Sequence, residues 1–571
     1  MRTCLVSSVN LGSWYSRGDE PATLSMPLGL LSLAAVLEAI GQQVDLVDFN
    51  YSLCNRELSL DDNFYTNAAD RIAALSPDLI GFSTMCNSYH ITLRMAEAIR
   101  SRLPGVPVLF GGPQSSVVDK ETLAAFPFVD MVLRGEAEQT LPQLIAEMSS
   151  GAGAYEVPGL TYRRDGRVVR NCDAPLIPDL DSLPIPAYHL FPHGLGGAPA
   201  IDVGRGCPFA CTFCSTSGFW KRRFRTKSID RIVHEMRMLK EKYGATNFTL
   251  MHDLFTVNRK RVHVFCDRLQ SEKMDVTWSC SARVDCVDRE LLQHMADSGC
   301  RGVFYGVETG SARMQREIRK NLKLDQVSVA VDATLDAKMN TTVSFITGFP
   351  TETTEDLRQT MDVIQSMLGR SQVSVQLHLL APQVGTPDYE RYGDKVAFDG
   401  YYSDIAGAGQ KFLQHDWFTR YPALFSSFSY FETDNLSRKL VRGVDLFVHG
   451  PVSAMRQTVR HLLERGRTLW DVYRDWRDWA DARGLAGGPM ADQAADDFLL
   501  DFYEFAADQV AAGRADFDLG EARDEIVAFY LRYYGRVPVR FVGPTSTETS
   551  AETMGVRNGI HDVRSDAGVC V

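Results

Sequence analysis

The sequence predicts an α/β protein in three folded parts: an N-terminal doubly wound, Rossmann-like parallel sheet, a partial (β/α)6 barrel, and a mainly helical C-terminal region. Three observations carry this reading. Short apolar runs alternate with amphipathic helical stretches in two separate series along the 571 residues. A proline-rich crossing divides the two series. Three cysteines fall within eight residues just after the first strand of the second series.

Residues 1–148 hold strand-like runs at 3–9, 44–49, 79–84, 106–110 and 131–133, with helical patterns such as 28–40 and 91–102 between them. Doubly wound sheets take ligands beyond the carboxyl ends of their strands. Ser83 and Thr84 close the third run, and Gly111 and Gly112 follow the fourth. Small residues let a bulky ligand approach the backbone. Ordinary tight turns use the same residues, and the pattern alone leaves both readings open.

Residues 149–199 read as a linker. A hairpin pattern at 162–169 turns at Asp165-Gly166, and Pro175, Pro178, Pro184 and Pro186 stiffen the crossing that follows. Residues 200–394 repeat strand then helix, with strands ending near Val203, His252, Arg283, Gly306, Ile346 and Leu380. Helical patterns at 229–243, 261–271, 289–298 and 355–367 fill the gaps. Barrel enzymes place their chemistry on the loops after the strands. Residues 395–542 are rich in aromatics and helical periodicity, as at 456–464 and 498–511, and are expected to cap the barrel mouth and supply a substrate pocket. Residues 543–571 carry few large apolar side chains and are expected to be disordered.

Composition narrows the function. A net charge of -12 argues against nucleic acid or an anionic membrane as main partner. No apolar run reaches the roughly 18 residues of a membrane span. The N-terminus lacks the long apolar stretch and cleavage site of a secretory signal, so a cytoplasmic location is expected. Twelve cysteines in a chain this long make no disulfide scaffold. Their clustering points to a metal or cluster site in a reducing compartment.

That cluster is Cys207-x3-Cys211-x2-Cys214, on the loop after the first barrel strand. Three thiolates hold three irons of a cubane and leave the fourth iron open. Zinc is the alternative, but it normally takes four ligands with two-plus-two spacing. No fourth Cys or His lies close by, and His234 falls within a predicted helix. The basic run Lys221-Arg222-Arg223-Phe-Arg225-Thr-Lys227 follows directly. It is either a solvated face or a countercharge for an anionic cofactor or substrate.

With aromatic Phe213 before the last cysteine, the motif resembles the signature of the radical S-adenosylmethionine (SAM) superfamily. The likeness continues strand by strand: Met251-His-Asp253, Ser281-Ala-Arg283-Val-Asp285, Gly306-Val-Glu308-Thr-Gly-Ser311, Ile346-Thr-Gly348-Phe-Pro350-Thr-Glu352 and, after Leu380, Ala381-Pro-Gln-Val-Gly385. The resemblance implies a catalytic [4Fe–4S] cluster on Cys207, Cys211 and Cys214, with the open iron binding the amino and carboxylate groups of SAM. It assigns Glu308 to the ribose hydroxyls, Ile346 and Gly348 to the flanks of the adenine, and Phe213 to a contact from the cluster loop. The strand-end residues Asp253, Arg283 and Leu380 are counted with the SAM site. For Glu308 a solvated carboxylate, and for Arg283 a structural ion pair, are the competing readings.

The N-terminal region resembles the cobalamin-binding domains that precede one large radical SAM subfamily. The matching stretches are Met26-Pro-Leu-Gly29, Asp78-Leu-Ile-Gly81-Phe-Ser83-Thr84, Gly111-Gly112-Pro113 and Arg134-Gly135-Glu136. By that resemblance a corrin lies over the sheet edge, with Ser83, Thr84, Gly111, Gly112, Gly135 and Glu136 around it. Cobalamin domains of the base-off kind supply a His from an Asp-x-His-x-x-Gly loop. This chain has no His before His90, so cobalt without a histidine lower ligand is expected.

The function implied is a methyltransferase acting on an unactivated carbon of a small molecule or peptide in a biosynthetic pathway. One SAM recharges cobalt and a second is cleaved to a 5′-deoxyadenosyl radical. An external electron donor such as flavodoxin or ferredoxin is implied as well. A cyclisation, rearrangement or oxidation without methyl transfer is the second reading. A cobalamin-binding sensor or carrier with a vestigial barrel is the third.

Overall fold

The computed structural model describes residues 1–9, 26–151, 155–191, 199–403, 415–485, 495–534 and 537. The expected disordered tail at 543–571 lies outside the described residues.

The first sheet contains β1 (Arg2–Val6), β2 (Gln43–Val47), β3 (Leu79–Ser83), β4 (Val108–Gly111), β5 (Met131–Leu133), β6 (Leu160–Arg164) and β7 (Arg167–Arg170), in the order β2-β1-β3-β4-β5-β6-β7. The first five strands are parallel. Their apolar runs are buried between helices on both faces, as a parallel sheet requires. β6 and β7 pair antiparallel as a hairpin and extend this sheet past β5. The hairpin expected within a linker is thus part of the first sheet. Its inward Leu160 and Tyr162 pack against Met131 and Leu133, and that burial overrides the linker composition.

The second sheet contains β8 (Ala200–Asp202), β11 (Asn247–Met251), β12 (Thr277–Ala282), β13 (Cys300–Glu308), β14 (Asn340–Thr347) and β15 (Val373–Leu379) in the order β15-β14-β13-β12-β11-β8. Every pairing is parallel, and helices connect successive strands. Two short strands, β9 (Gly204–Arg205) and β10 (Arg225–Thr226), pair antiparallel on either side of the cysteine loop.

The C-terminal region divides in two. Tyr402, Phe418, Leu424, Phe425 and Phe428 join the core of the first domain, packing with Tyr89, Phe110 and Phe126. Gln114 Nε2 donates to the Leu424 carbonyl at 2.9 Å, and Arg94 lies 4.2 Å from the Trp417 ring centroid. Helices from Arg438 to Phe447 and Leu469 to Ala482, with later ones, instead join the barrel core. A π-helical turn at Val448–Val452 brings a His449 ring nitrogen 2.5 Å from the Leu377 carbonyl, on the outer side of β15. Arg456 donates to the carbonyls of Met367, Leu368, Arg370 and Val373.

The region expected to cap the barrel mouth thus sends its aromatic stretch to the first domain and other parts to the barrel. Among the described residues the strand pair β16 (Val396–Ala397) and β17 (Tyr430–Phe431), the residues just after it and Val441 of the following helix reach the strand ends. The aromatic stretch packs on the apolar face of the first domain's helix from Tyr89 to Arg102.

Candidate functional site

The cysteine loop leaves β9 through Gly206, whose φ of +88° only glycine adopts freely. Asp253 grips the loop at both ends. Its carboxylate accepts the Gly206 N–H at 2.8 Å and the Thr216 hydroxyl at 3.4 Å. Asp253 thus positions the loop. Cys207, Cys211 and Cys214 are all free thiols. Burial pushes all three up, Cys211 to about 11, and Lys320 opposes the rise at each.

The donor set fits a cluster. Three thiols from one loop act on one another electrostatically, Cys214 on both Cys207 and Cys211. Among the described residues no three His, Cys, Asp or Glu side chains converge as the ligands of a single ion. Positive iron also offsets what burial costs a thiolate.

Lys320 is the residue that sequence reasoning missed. It is buried, and its Nζ lies 2.9 Å from Glu308 Oε1. Burial pulls its ammonium down, while Glu308 and Cys211 more than compensate. Glu308 ends β13 at a bulge with φ +71°, a strained value for a non-glycine residue. That turn aims the carboxylate inward beside Gly306, where a Cβ would stand 2.4 Å from Glu308 Oε1. Glu308 is therefore buried and paired, not a solvated carboxylate. Arg283 makes the structural ion pair held open above. It donates to both oxygens of Asp285 and to the Lys320 carbonyl, and lies 3.8 Å from the Phe209 ring centroid.

Phe213, Ile346 and Leu380 come together in one apolar cluster with Phe349 and Phe431. The Phe213 and Phe349 rings meet edge to face at 5.7 Å. Gly348, with φ +94°, turns the chain beside this cluster. Glu352 holds the turn by accepting the N–H groups of Gly348 and Phe349 and the hydroxyl of Thr347. A cavity of about 430 Å³ opens against Gly348 and Leu380 and is walled by Lys395, Tyr430, Asp434 and Arg438. An apolar cluster beside exposed backbone suits a flat heterocycle such as adenine.

The residues expected around cobalamin separate into two groups. Gly111 has ordinary clearance, and a Cβ on Gly135 would meet nothing within 4 Å. Ser88 Oγ is buried without a hydrogen-bond partner among the described residues, at the same carboxyl ends of the strands. Ser83 is half-buried there. Open space and a buried polar atom at this edge fit a large ligand. The second group is committed elsewhere. Thr84 Oγ1 donates to the Gly111 carbonyl or to Ser115 and accepts from the Ser115 N–H. At Gly112, a Cβ would stand 2.8 Å from the Thr84 carbonyl, so its freedom serves strand packing.

Glu136 lies in a buried ion-pair network. Its carboxylate takes Arg205 at 2.7 Å, Arg225 at 2.7 Å and the Ile177 N–H at 2.8 Å. Arg205 also reaches Glu138 at 2.6 Å and Asp202 at 3.2 Å. Glu136 thus joins the first sheet to the strand pair that carries the cysteine loop. His90 is also accounted for: its ring is buried edge-on between Phe418 and Phe428, at 5.5 and 5.2 Å.

Among the described residues no helix is long and apolar enough to cross a membrane. Comparison with known proteins gives two family matches: the Radical SAM superfamily over residues 201–364 and the B12 binding domain over 18–145. A relative called uncharacterized methyltransferase PH0819, from Pyrococcus horikoshii, is 30% identical over 344 residues, covering 59% of this chain and 73% of the relative. The anaerobic magnesium-protoporphyrin IX monomethyl ester cyclase of Synechocystis sp. is 28% identical over 353 residues, covering 60% of this chain and 67% of its own length. A solved structure of the cobalamin-dependent S-adenosylmethionine radical enzyme OxsB has the same fold, with a TM-score of 0.62 at 14% identity over 94% of this chain and 83% of that one. The matched segments contain the cysteine loop, the strand ends from Asp253 to Glu352 and four of the five parallel strands of the first sheet, and on these grounds the chain belongs to the radical SAM superfamily, in the group that carries a B12-binding domain ahead of its barrel.

Proposed function

We propose that this chain is a cobalamin-dependent radical SAM methyltransferase acting on an unactivated carbon of a small molecule or peptide. The observation that carries the reading is the placement of the three free thiols. They leave the strand pair that Glu136 ties to the first sheet, so the cluster loop and the corrin-type strand ends belong to one framework. When bound, the cofactors supply a hydrogen-abstracting radical and a transferable methyl group; the protein supplies position and exclusion of water.

Within this proposal Cys207, Cys211 and Cys214 hold the cluster and Asp253 fixes their loop. Glu308 takes the SAM ribose. Phe213, Ile346, Gly348 and Leu380 take the adenine. Gly111, Gly135 and Ser83 leave room for the corrin. The cavity walled by Lys395 and Tyr430 lies beside the adenine residues and suits a polar substrate. An external one-electron donor such as flavodoxin or ferredoxin completes the system. None of the described cysteines is in a disulfide, which agrees with a reducing, cytoplasmic setting.

A second reading has its own support. The Synechocystis relative carries the name of a cyclase, so the same framework in this chain could serve ring formation without methyl transfer. SAM labelled in its methyl group separates the two. Methyl transfer puts label in product and gives one S-adenosylhomocysteine and one 5′-deoxyadenosine per turnover. 5′-Deoxyadenosine alone, with unlabelled product, sinks the methyltransferase reading. Changing any of the three cysteines to Ala should abolish the cluster and all 5′-deoxyadenosine formation.

A further inference from the structure

The turn after the cysteine loop carries three consecutive cations, Lys221, Arg222 and Arg223, and all three are exposed. The geometry of the turn is unusual. Lys221 and Arg222 both adopt left-handed backbone, at φ +50° and +54°. Two such residues in a row are costly without glycine. Backbone bonds hold them there: Lys221 N–H to the Gly218 carbonyl, Arg222 N–H to Ser217, and Arg223 N–H to Trp220, at 2.9 to 3.1 Å. The fixed turn presents a cationic face rather than a loose tail.

That face sits against the cluster loop. The Arg223 carbonyl lies 2.0 Å from where a Cβ on Gly206 would stand, so only glycine permits the contact one residue before Cys207. Lys221 has a single weak partner, Asp173 at 3.9 Å, and its side chain is 53% exposed. Asp173 is itself surrounded by cations. Burial raises its carboxyl, and Arg134, Arg170 and Lys221 together outweigh that and draw it below the ordinary range. Among the described residues the side chains of Arg222 and Arg223 form no ion pair. On a chain of net charge -12, this is a concentrated positive patch beside the one loop that has to receive an electron.

We propose that Lys221, Arg222 and Arg223 form the docking surface for a small acidic one-electron carrier protein, which delivers an electron to the cluster on the adjoining loop. The inference rests on the cluster assignment above. In the step, reduced ferredoxin loses one electron and its own cluster is oxidised; the [4Fe–4S] cluster of this chain passes from the 2+ to the 1+ state. No proton moves and no bond is made or broken. Opposite charge steers the two proteins together, and salt weakens the effect because the patch is exposed.

The test uses the full chain with its cluster reconstituted. Reduction by a reduced [2Fe–2S] ferredoxin is followed by freeze-quench electron paramagnetic resonance, and reduction by dithionite serves as the small-molecule control. In the Lys221→Gln/Arg222→Gln/Arg223→Gln variant, reduction by ferredoxin at low salt should slow by about tenfold or more, and dithionite reduction should be unchanged. Raising salt should erase the difference between variant and wild type. Arg223→Glu alone, outside the left-handed pair, should show the same selective loss. Undiminished reduction by ferredoxin, or equal slowing with both reductants, overturns the proposal. Loss of hydroxocobalamin binding with ferredoxin reduction intact would put an anionic cofactor on the turn and also overturns it. A wild-type chain that shows no reducible cluster under dithionite refutes the underlying cluster assignment instead, and the docking surface with it.

Discussion

Glu308 and Lys320 form a buried ion pair, Oε1 to Nζ 2.9 Å, with each side chain 10% exposed. The pair joins the end of β13 to the segment after the next helix and stands beside Cys211. Removing one partner leaves the other charge buried and alone. Glu308→Gln should therefore destabilise the chain by about 3–5 kcal/mol as well as weaken SAM binding. Glu308→Gln/Lys320→Met should recover much of that stability and none of the SAM binding. Urea unfolding of the four members of the cycle checks this, and strictly additive losses would show that the two charges do not depend on each other.

The link between Glu136 and Arg205 makes a second prediction. Glu136→Gln removes the charge facing both Arg205 and Arg225, whose side chains are each 11% exposed. The loss should be about 3–5 kcal/mol and should fall on the junction between the first sheet and the barrel. Limited proteolysis should then cut between residues 150 and 200 in the variant far faster than in wild type. Equal cleavage rates would mean that the junction is held by packing alone.

Glu352 gives stability a pH dependence. Burial, against three opposing hydrogen bonds, raises its carboxyl from the model-peptide 4.5 to about 7. Between those values the folded chain holds a proton that the unfolded chain has released. Stability from this group is thus complete below about 4.5 and is lost as pH rises through about 7, by roughly 3 kcal/mol at most. Glu352→Gln, which keeps the neutral amide, should lose less stability than wild type between pH 5 and pH 8. Parallel curves for the two proteins would contradict the assignment.

The enclosure of His90 bears on cobalt. The His90 ring is enclosed edge-on by Phe418 and Phe428. The Co(II) form of the bound corrin should show no nitrogen superhyperfine splitting, and His90→Phe should leave the spectrum unchanged. A triplet splitting that disappears in His90→Phe would place the ring on the metal.

Both parallel sheets could be read from the sequence because buried strands and amphipathic helices leave different periods. The cysteine loop was legible from spacing alone, and that Phe213, Ile346 and Leu380 share one apolar cluster agrees with their places at successive strand ends. Lys320 was not, since a lysine past a short helix reads as solvated until its partner is seen. Glu136 and Asp253 have partners that the sequence did not show. A carboxylate at a strand end looks alike in sequence whether it meets a ligand or an arginine from the next domain. The aromatic stretch before β17 showed that it would be buried but not against what, because its periodicity describes one helix face and not the surface opposite.

That stretch also fixes an order of events during synthesis. Phe418, Leu424, Phe425 and Phe428 complete the core around Tyr89 and Phe126, and the Gln114–Leu424 hydrogen bond spans 310 residues. The ribosome delivers the first sheet long before its last core residues exist. Until residue 428 emerges, the helix that begins at Tyr89 keeps an apolar face open while the barrel forms downstream. Closing so long a loop is entropically modest but slow, and the waiting intermediate is prone to aggregate. The N-terminal sheet expressed by itself should share that liability, and adding residues 398–431 in trans is the natural way to relieve it.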